Sequence, residues 1–122
     1  MGDLSKNFSN SELRCPCCLV QKVTPELVAA LQKLRDIVDV PITIDSGYRC
    51  KKHNADRRVG GSPTSQHLLG TAADIVIAHM LPEEMKEAAL LVEAFRDGGI
   101  GVYPNNGFIH VDVRGRRARW SG

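Results

Sequence analysis

Two stretches of the chain repeat apolar residues at steps of three and four, which is the spacing of one face of an α-helix. The first starts at Thr24, a residue type that caps helices, with Pro25 at the first helical position, and it runs to about Val38. The second starts at Pro82 and ends at the pair Gly98-Gly99. The two apolar faces consist of Leu27, Val28, Leu31, Leu34 and Val38, and of Met85, Ala88, Ala89, Val92 and Phe95.

Four other stretches have the apolar and β-branched composition that is typical of strands. They cover residues 41–45, 71–78, 100–103 and 108–113. The last two are separated by Pro104-Asn105-Asn106-Gly107, and the Asn-Gly pair predicts a β-hairpin at this point.

The order of the elements, with helices first and a hairpin last, predicts an α+β fold built from a small antiparallel sheet flanked by helices. A length of 122 residues predicts a single domain over 1–122, with residues 1–7 expected to be flexible. A capping box formed by Ser9 and Glu12 predicts a short first helix, and residues 51–57 are expected to form another.

Composition is that of an ordinary globular protein, with 43% hydrophobic and 25% charged residues. No apolar run approaches the ~20 residues that cross a bilayer, so membrane insertion is not expected. The N-terminal residues lack the apolar core of a signal peptide, and we expect cytoplasmic synthesis.

The net charge of +2 is too small to indicate a nucleic-acid partner by itself, but positive charge is concentrated near the C-terminus. A solvated tail explains this cluster, and a patch that attracts an anionic polymer is the alternative. Sequence-specific nucleic-acid binding is not expected, because no recognised binding motif accompanies the cluster. The cluster consists of Arg114, Arg116, Arg117 and Arg119, followed by Trp120.

Two histidines and one carboxylate have positions that suit a metal site. Alternation along 71–78 and 108–113 places Asp74 and His110 on strand faces opposite the apolar side chains. His67 lies in the loop that enters the first of these strands, and Gly70 allows that loop to turn tightly. Two His and one Asp can hold zinc with a fourth position open to water, as metal-assisted hydrolysis requires.

Each of these residues also has a simpler explanation. A single loop histidine is most often a surface residue, and an aspartate in a strand can pair with an arginine. An Asp in an apolar strand is nevertheless costly to bury without a partner or a metal.

The motif Ser65-x-His67-x-x-Gly70-x-Ala72-x-Asp74, followed by His110 in a later strand, resembles the zinc D-Ala-D-Ala carboxypeptidase family, in particular its short bacterial and phage members. Ser46-Gly47-Tyr48-Arg49 and the closing segment 108–114 fit the same family, and the resemblance spans about residues 8–120. It implies a zinc peptidase that acts on peptidoglycan peptides, often at bonds next to D-alanine. The implied fold is the small antiparallel sheet with flanking helices that hedgehog-type domains share.

The resemblance also implies roles for individual residues. His67, Asp74 and His110 match the zinc ligands, and Arg49 matches an arginine that steadies the polarised carbonyl or its oxyanion. An ordinary ion pair is the alternative for Arg49. Ser65 and Gln66 are expected to bind the substrate backbone or carboxylate, or else to cap their own loop.

The proton-transfer residue is where the chain departs from the family. Many relatives carry a catalytic His two residues before the last ligand or an acidic residue three before it, and these positions are Phe108 and Gly107 here. The nearest replacement is Asp112, about 7 Å beyond His110 on the same strand face. Asp112 is therefore interpreted as a catalytic base, as an acceptor that orients a ligand histidine, or as a structural partner.

Four cysteines offer a second possible metal site. Cys15-x-x-Cys18 together with Cys50-x-x-His53 has the spacing of a structural zinc site with three Cys and one His. A disulfide from the cluster to Cys50 is an alternative that would need an oxidising compartment. Unliganded thiols are the third interpretation.

Two functional hypotheses follow. The first is a zinc metallopeptidase of D,D-carboxypeptidase or murein endopeptidase type that acts on the cell wall. Release of the phage type is the expected route by which it reaches the wall. The second is a non-catalytic zinc-containing module that binds the wall or serves a structural role. It is supported by Gly107 and Phe108, which stand where many relatives carry a proton-transfer residue.

Overall fold

The computed structural model describes residues 4–16, 18–50, 52, 54 and 65–122. Most of the helix expected at 51–57 therefore lies outside the described residues. In chain order the elements are α1 (Asn10–Leu13), α2 (Pro25–Val38), β1 (Ile42–Ser46), a 3₁₀ helix (Gln66–Leu69), β2 (Ala72–Ile77), α3 (Pro82–Ala89), α4 (Glu93–Arg96), β3 (Gly99–Tyr103), β4 (Phe108–Asp112) and β5 (Ala118–Ser121).

The five strands form one sheet in the order β1-β2-β4-β3-β5. The first four are antiparallel to their neighbours, and β5 runs parallel to β3 at the edge. The α+β class is therefore confirmed, and so is the hairpin, in which Gly107 N–H donates to the Tyr103 carbonyl at 2.9 Å.

The hydrophobic core lies between one face of the sheet and the helices. Thr24 caps α2 by accepting from Leu27 N–H at 3.2 Å, with Pro25 in the first turn as predicted. The capping box at Ser9 is also present, since Glu12 accepts from Ser9 N–H at 2.9 Å. The main core side chains are Leu27, Leu31, Leu34, Ile75, Ile77, Met85, Phe95, Ile100, Ile109 and Val111.

The prediction of one helix from Pro82 to Gly98 is wrong, because the structure has two. Leu91 and Val92 donate to carbonyls only three residues back, which tightens the last turn of α3. Val92 then adopts an extended backbone with its side chain buried, and α4 begins after it. Phe95 of α4 remains fully buried beyond the break.

The interpretation of the C-terminal segment as a solvated tail is also wrong for its last part. Residues Ala118–Ser121 form β5, in register with Gly99–Val102 of β3. Arg119 anchors this strand by donating to the carbonyls of Gly98 and Arg96, both at 2.6 Å.

The N-terminal segment, for which we expected flexibility, contacts α2. Ser5 and Asn7 hydrogen-bond to Gln32 of α2 at 2.7 and 2.9 Å.

Across the described ranges, no helix combines the length and the apolar character that a bilayer crossing requires.

Candidate metal centre

The face of the sheet opposite the core carries the predicted metal ligands. Strands β2 and β4 pair so that Asp74 lies directly opposite His110. His67 reaches the same place from the 3₁₀ helix, which Gly70 ends with a left-handed φ of 72°. A side chain at Gly70 would overlap the carbonyl oxygen of Lys22, so this position needs glycine on both grounds.

The three side chains meet around one carboxylate oxygen. Asp74 Oδ1 lies 3.2 Å from His67 Nε2 and 3.2 Å from His110 Nδ1. All three possible ligand atoms lie within 4.8 Å of one another. The residues are nearly inaccessible, with exposed fractions of 2% for His67, 8% for Asp74 and 7% for His110.

Hydrogen bonds on the far side of each imidazole fix which nitrogen points at Asp74. His67 Nδ1 lies 2.7 Å from the Gly47 carbonyl and, as a donor there, leaves the Nε2 lone pair facing the carboxylate. His110 Nε2 lies 2.7 Å from Asp112 Oδ2 and leaves Nδ1 facing it in the same way. With Nδ1 of His67 and Nε2 of His110 donating to these partners, a cation bound beside Asp74 would meet two imidazole lone pairs and one carboxylate oxygen.

The spacing of these atoms fits zinc. Bonds of about 2.0–2.1 Å place neighbouring ligands of a tetrahedral ion about 3.3 Å apart. Both measured separations from Asp74 Oδ1 are 3.2 Å. The donor set and its geometry thus suit the metal that the sequence resemblance implies, with one position left for water or substrate.

The electrostatics of the cluster keep Asp74 ionised. Burial by itself raises the pKa of Asp74, but hydrogen bonds and positive charge from His110 and His67 outweigh it and hold the pKa well below the usual range. Burial lowers the pKa of His110, whereas hydrogen bonds to Asp112 and Asp74 raise it above its ordinary value overall. Asp74 is therefore ionised at neutral pH.

Arg49 stands beside the triad, at the end of the segment that follows β1. Its Nη2 donates to Asp74 Oδ2 at 3.1 Å, and its Nε donates to Ser46 Oγ at 3.0 Å. Because Ser46 pairs with Asp74 across the strands, the guanidinium is held on the carboxylate oxygen that faces away from the histidines. The ion pair is present, and a role for Arg49 toward substrate stays a prediction.

Asp112 lies behind His110 with no exposed surface. Its Oδ2 accepts from His110 and from Arg114 Nη2, both at 2.7 Å, and its Oδ1 accepts from Gly99 N–H at 2.8 Å and from Arg114 Nε at 2.9 Å. Burial raises the pKa of Asp112, but these hydrogen bonds from His110, Arg114 and Gly99 bring it well below the ordinary value. The contacts are those of an acceptor that orients His110.

The remaining predicted site residues lie around this centre or outside the described residues. Ser65 Oγ accepts from His67 N–H at 3.2 Å, and Gln66 Oε1 accepts from Thr71 Oγ1 at 2.9 Å. These contacts cap the loop, and substrate binding by Ser65 and Gln66 stays a prediction. His53 lies outside the described residues, whereas Cys15, Cys18 and Cys50 form a second cluster.

Comparison with known proteins decides the family. Residues 6–112 match the family described as Peptidase M15. The chain belongs to this family. It is 34% identical over 109 residues to the probable peptidoglycan L,D-endopeptidase MepK of Haemophilus influenzae, covering 84% of this chain and 56% of that protein.

A second relative gives the same picture. The peptidoglycan L,D-endopeptidase MepK of Escherichia coli K12 is 30% identical over 99 residues, which cover 77% of this chain and 53% of that protein. The chain thus spans about half the length of the curated relatives it matches.

The position of Trp120 beside the candidate metal centre was not predicted from the sequence. The Trp120 ring lies 4.9 Å from the His110 ring, and Trp120 Nε1 donates to Tyr103 Oη at 2.7 Å. Gly101 lies between His110 and Trp120 in the sheet register, and a side chain there would overlap the indole. The glycine therefore makes room for Trp120 to cover His110.

Asp45 is another residue that the sequence analysis did not single out. It lies in β1 between Ile44 and Ser46, where the pairing of β1 with β2 shifts register. The next residue, Ser46, pairs with Asp74 of β2. Burial and the negative charge of Asp74 both raise the pKa of Asp45. Its carboxylate is exposed, unlike that of Asp112.

Gly101→Ala is expected to destabilise the fold through this contact with Trp120, by about 1–3 kcal/mol, because the new methyl group overpacks the sheet face. In a Trp120→Ala background the same change should cost much less, since the overlapping ring is gone. Thermal unfolding of the four proteins in this double-mutant cycle measures the coupling. Equal costs in both backgrounds would show that Trp120 does not rest on Gly101.

Proposed function

We propose that this chain is a zinc peptidase that hydrolyses peptide bonds of peptidoglycan and so acts on the cell wall. The convergence of His67, Asp74 and His110 on one point supports a metal-dependent reaction. The names of the M15 relatives support peptidoglycan as the substrate class. Release of the phage type, as the route to the wall, stays a prediction.

Zinc, when bound, supplies a Lewis acid that polarises a carbonyl and makes water a nucleophile near neutral pH. The chain contributes the orientation of the ligands. The Gly47 carbonyl holds the His67 ring, and Asp112 holds the His110 ring, so both lone pairs stay aimed at the ion.

Arg49 is proposed to stabilise the negative charge that develops on the substrate carbonyl oxygen. Its guanidinium lies within 3.1 Å of the Asp74 carboxylate, hence at the edge of the metal centre. It is held there by Ser46, which limits the reorganisation needed when charge develops.

Asp112 is proposed to orient His110 and not to transfer protons. Its two oxygens are fully engaged with His110, Gly99 and Arg114, and it has no exposed surface. Asp45 is proposed as the proton acceptor instead, because it is exposed beside Asp74 and has a raised pKa.

Asp112→Asn is expected to weaken zinc binding by about 10- to 100-fold while turnover at saturating zinc is largely retained. Asp45→Asn is expected to lower kcat by about 10²–10⁴-fold with zinc affinity unchanged. Zinc titrations and single-turnover rates separate the two effects, with the exposed Asp39→Asn as the matched control. If Asp112→Asn abolishes turnover and leaves zinc affinity intact, Asp112 is the base.

The type of bond is proposed to be internal to a peptide. The relatives are named as L,D-endopeptidases, whereas the sequence resemblance implied bonds next to D-alanine and left carboxypeptidase and endopeptidase action both open. Digestion of purified peptidoglycan, followed by mass spectrometry of the products, distinguishes the two. Endopeptidase action cuts an internal bond and yields two peptide fragments, whereas carboxypeptidase action releases single D-alanine residues.

A second candidate function, a non-catalytic module that binds the wall, is favoured by one observation. The positions where many relatives carry a proton-transfer residue are Gly107 and Phe108. The same digestion tests this alternative, run with zinc and with a chelator. Release of peptides that depends on zinc supports the peptidase, and sedimentation with peptidoglycan without any release supports the binding module.

A further inference from the structure

We propose that Cys15, Cys18 and Cys50 form a second metal site, which binds zinc through three thiolates and has a structural role. Their sulfur atoms lie within 4.8 Å of one another, and none of the three belongs to the triad of His67, Asp74 and His110. Thiolates are soft ligands, and zinc is the ion that such clusters bind in structural sites. The proposal does not depend on the peptidase function.

The sulfur separations fit an ion better than a disulfide. Cys15 Sγ lies 3.6 Å from Cys50 Sγ. A disulfide holds its sulfurs at about 2.05 Å, whereas Zn–S bonds of about 2.3 Å place two sulfurs of a tetrahedral ion about 3.8 Å apart. The observed separation is therefore close to that of two thiolates bound to one zinc.

The local backbone brings the first two cysteines together. Cys15 N–H donates to the Val20 carbonyl and Leu19 N–H donates to the Cys15 carbonyl, both at 2.8 Å, which closes a tight loop around Cys18. Leu19 has a left-handed φ of 61°, an uncommon conformation for a residue with a branched side chain. Cys50 N–H donates to Cys15 Sγ at 3.5 Å, as backbone amides do to ligand sulfurs.

The site would fasten the N-terminal segment to the segment that serves the triad. Cys50 directly follows Arg49, and Tyr48 N–H donates to the Leu13 carbonyl at 2.8 Å. Gly47, whose carbonyl orients His67, packs so closely on Leu13 that a side chain would overlap its backbone. An ion bound by the three cysteines would therefore fix Gly47 and Arg49 relative to the N-terminus.

Cobalt substitution of the 122-residue chain tests the proposal, because sulfur-to-cobalt charge transfer absorbs in the near ultraviolet and the triad contains no sulfur. The wild-type chain is expected to show this absorption, with one thiolate-bound ion per chain. Cys18→Ser should remove it or weaken binding at least about 100-fold. Cys18 is the preferred position because it is exposed, so its replacement leaves the core intact.

Controls separate the cysteine site from the triad. His110→Ala should keep the sulfur absorption and lose the ion at the triad. Cys17→Ser, a change at the neighbouring position in the sequence, should also keep the sulfur absorption. X-ray absorption at the zinc edge should find sulfur neighbours at about 2.3 Å in the wild-type chain. Chelation should lower the melting temperature of His110→Ala and leave that of the His110→Ala/Cys18→Ser double variant unchanged.

Three results would overturn the proposal. The first is the absence of sulfur-to-cobalt absorption from wild-type chain whose thiols are fully reduced. The second is a Cys15–Cys50 disulfide in protein purified without added oxidant, detected by mass spectrometry of peptides. The third is loss of the absorption in Cys17→Ser with retention in Cys18→Ser.

Discussion

Replacing His110 by alanine is expected to lower peptidoglycan hydrolysis at least about 10³-fold, because the metal contributes several kcal/mol to the transition state. His110 Nδ1 is one of three atoms that converge on the proposed ion, and Asp74 and His67 alone cannot enclose it. Metal analysis should show one zinc fewer per chain than in the wild type. Product release measured by chromatography gives the rate.

The control for this prediction is His79→Asn. His79 is exposed and has a left-handed φ of 66°, which asparagine tolerates better than alanine. This variant should keep both its zinc and its rate. Full activity of His110→Ala, with zinc still bound, would show that the triad is not the hydrolytic centre.

The second large effect is expected at Arg49. Arg49→Ala should lower kcat by about 10²–10³-fold, the cost of removing one group that stabilises an oxyanion. Arg49→Lys should recover little of the lost kcat, because lysine lacks the planar guanidinium that contacts Ser46 and Asp74 at the same time. Zinc content should remain that of the wild type in both variants.

Arg35→Ala is the matched control, since Arg35 forms an ion pair with Asp39 on the surface of α2. Removing that pair should change the rate and the stability little. If Arg49→Ala loses zinc along with activity, the arginine serves to hold Asp74, and the role toward the substrate is contradicted.

The convergence of His67, Asp74 and His110 was largely predictable because it depends on short-range rules. Strand alternation placed Asp74 and His110 on the face opposite the core, and the register of β2 with β4 brings them side by side. Gly70 predicted the turn that carries His67, and its φ of 72° confirms it. These features need only the two-residue period of a strand and the conformational freedom of glycine.

The features that escaped prediction depend on contacts distant in sequence. The alternation of polar and apolar residues in β5 is short and lies within an arginine-rich segment. The charge of this segment therefore favoured a solvated tail over the strand that pairs in parallel with β3. Trp120 reaches His110 only through that pairing. The environment of Asp112 likewise depends on Gly99 of the neighbouring strand, which no local pattern reveals.

The boundary inside the predicted second helix was missed for a related reason. Met85, Val92 and Phe95 keep helical spacing across the break, so periodicity alone indicates one continuous helix. All three side chains are buried even though the backbone at Val92 is extended. Tertiary packing, and not local preference, sets the end of α3.

The most direct test of the proposed metal centre is a crystal structure of the zinc-loaded chain with anomalous data at the zinc edge. We expect a peak bonded to His67 Nε2, Asp74 Oδ1 and His110 Nδ1 at about 2.0–2.2 Å, with an open fourth position facing Arg49. A map with no peak at the triad, in crystals grown with excess zinc, would contradict it.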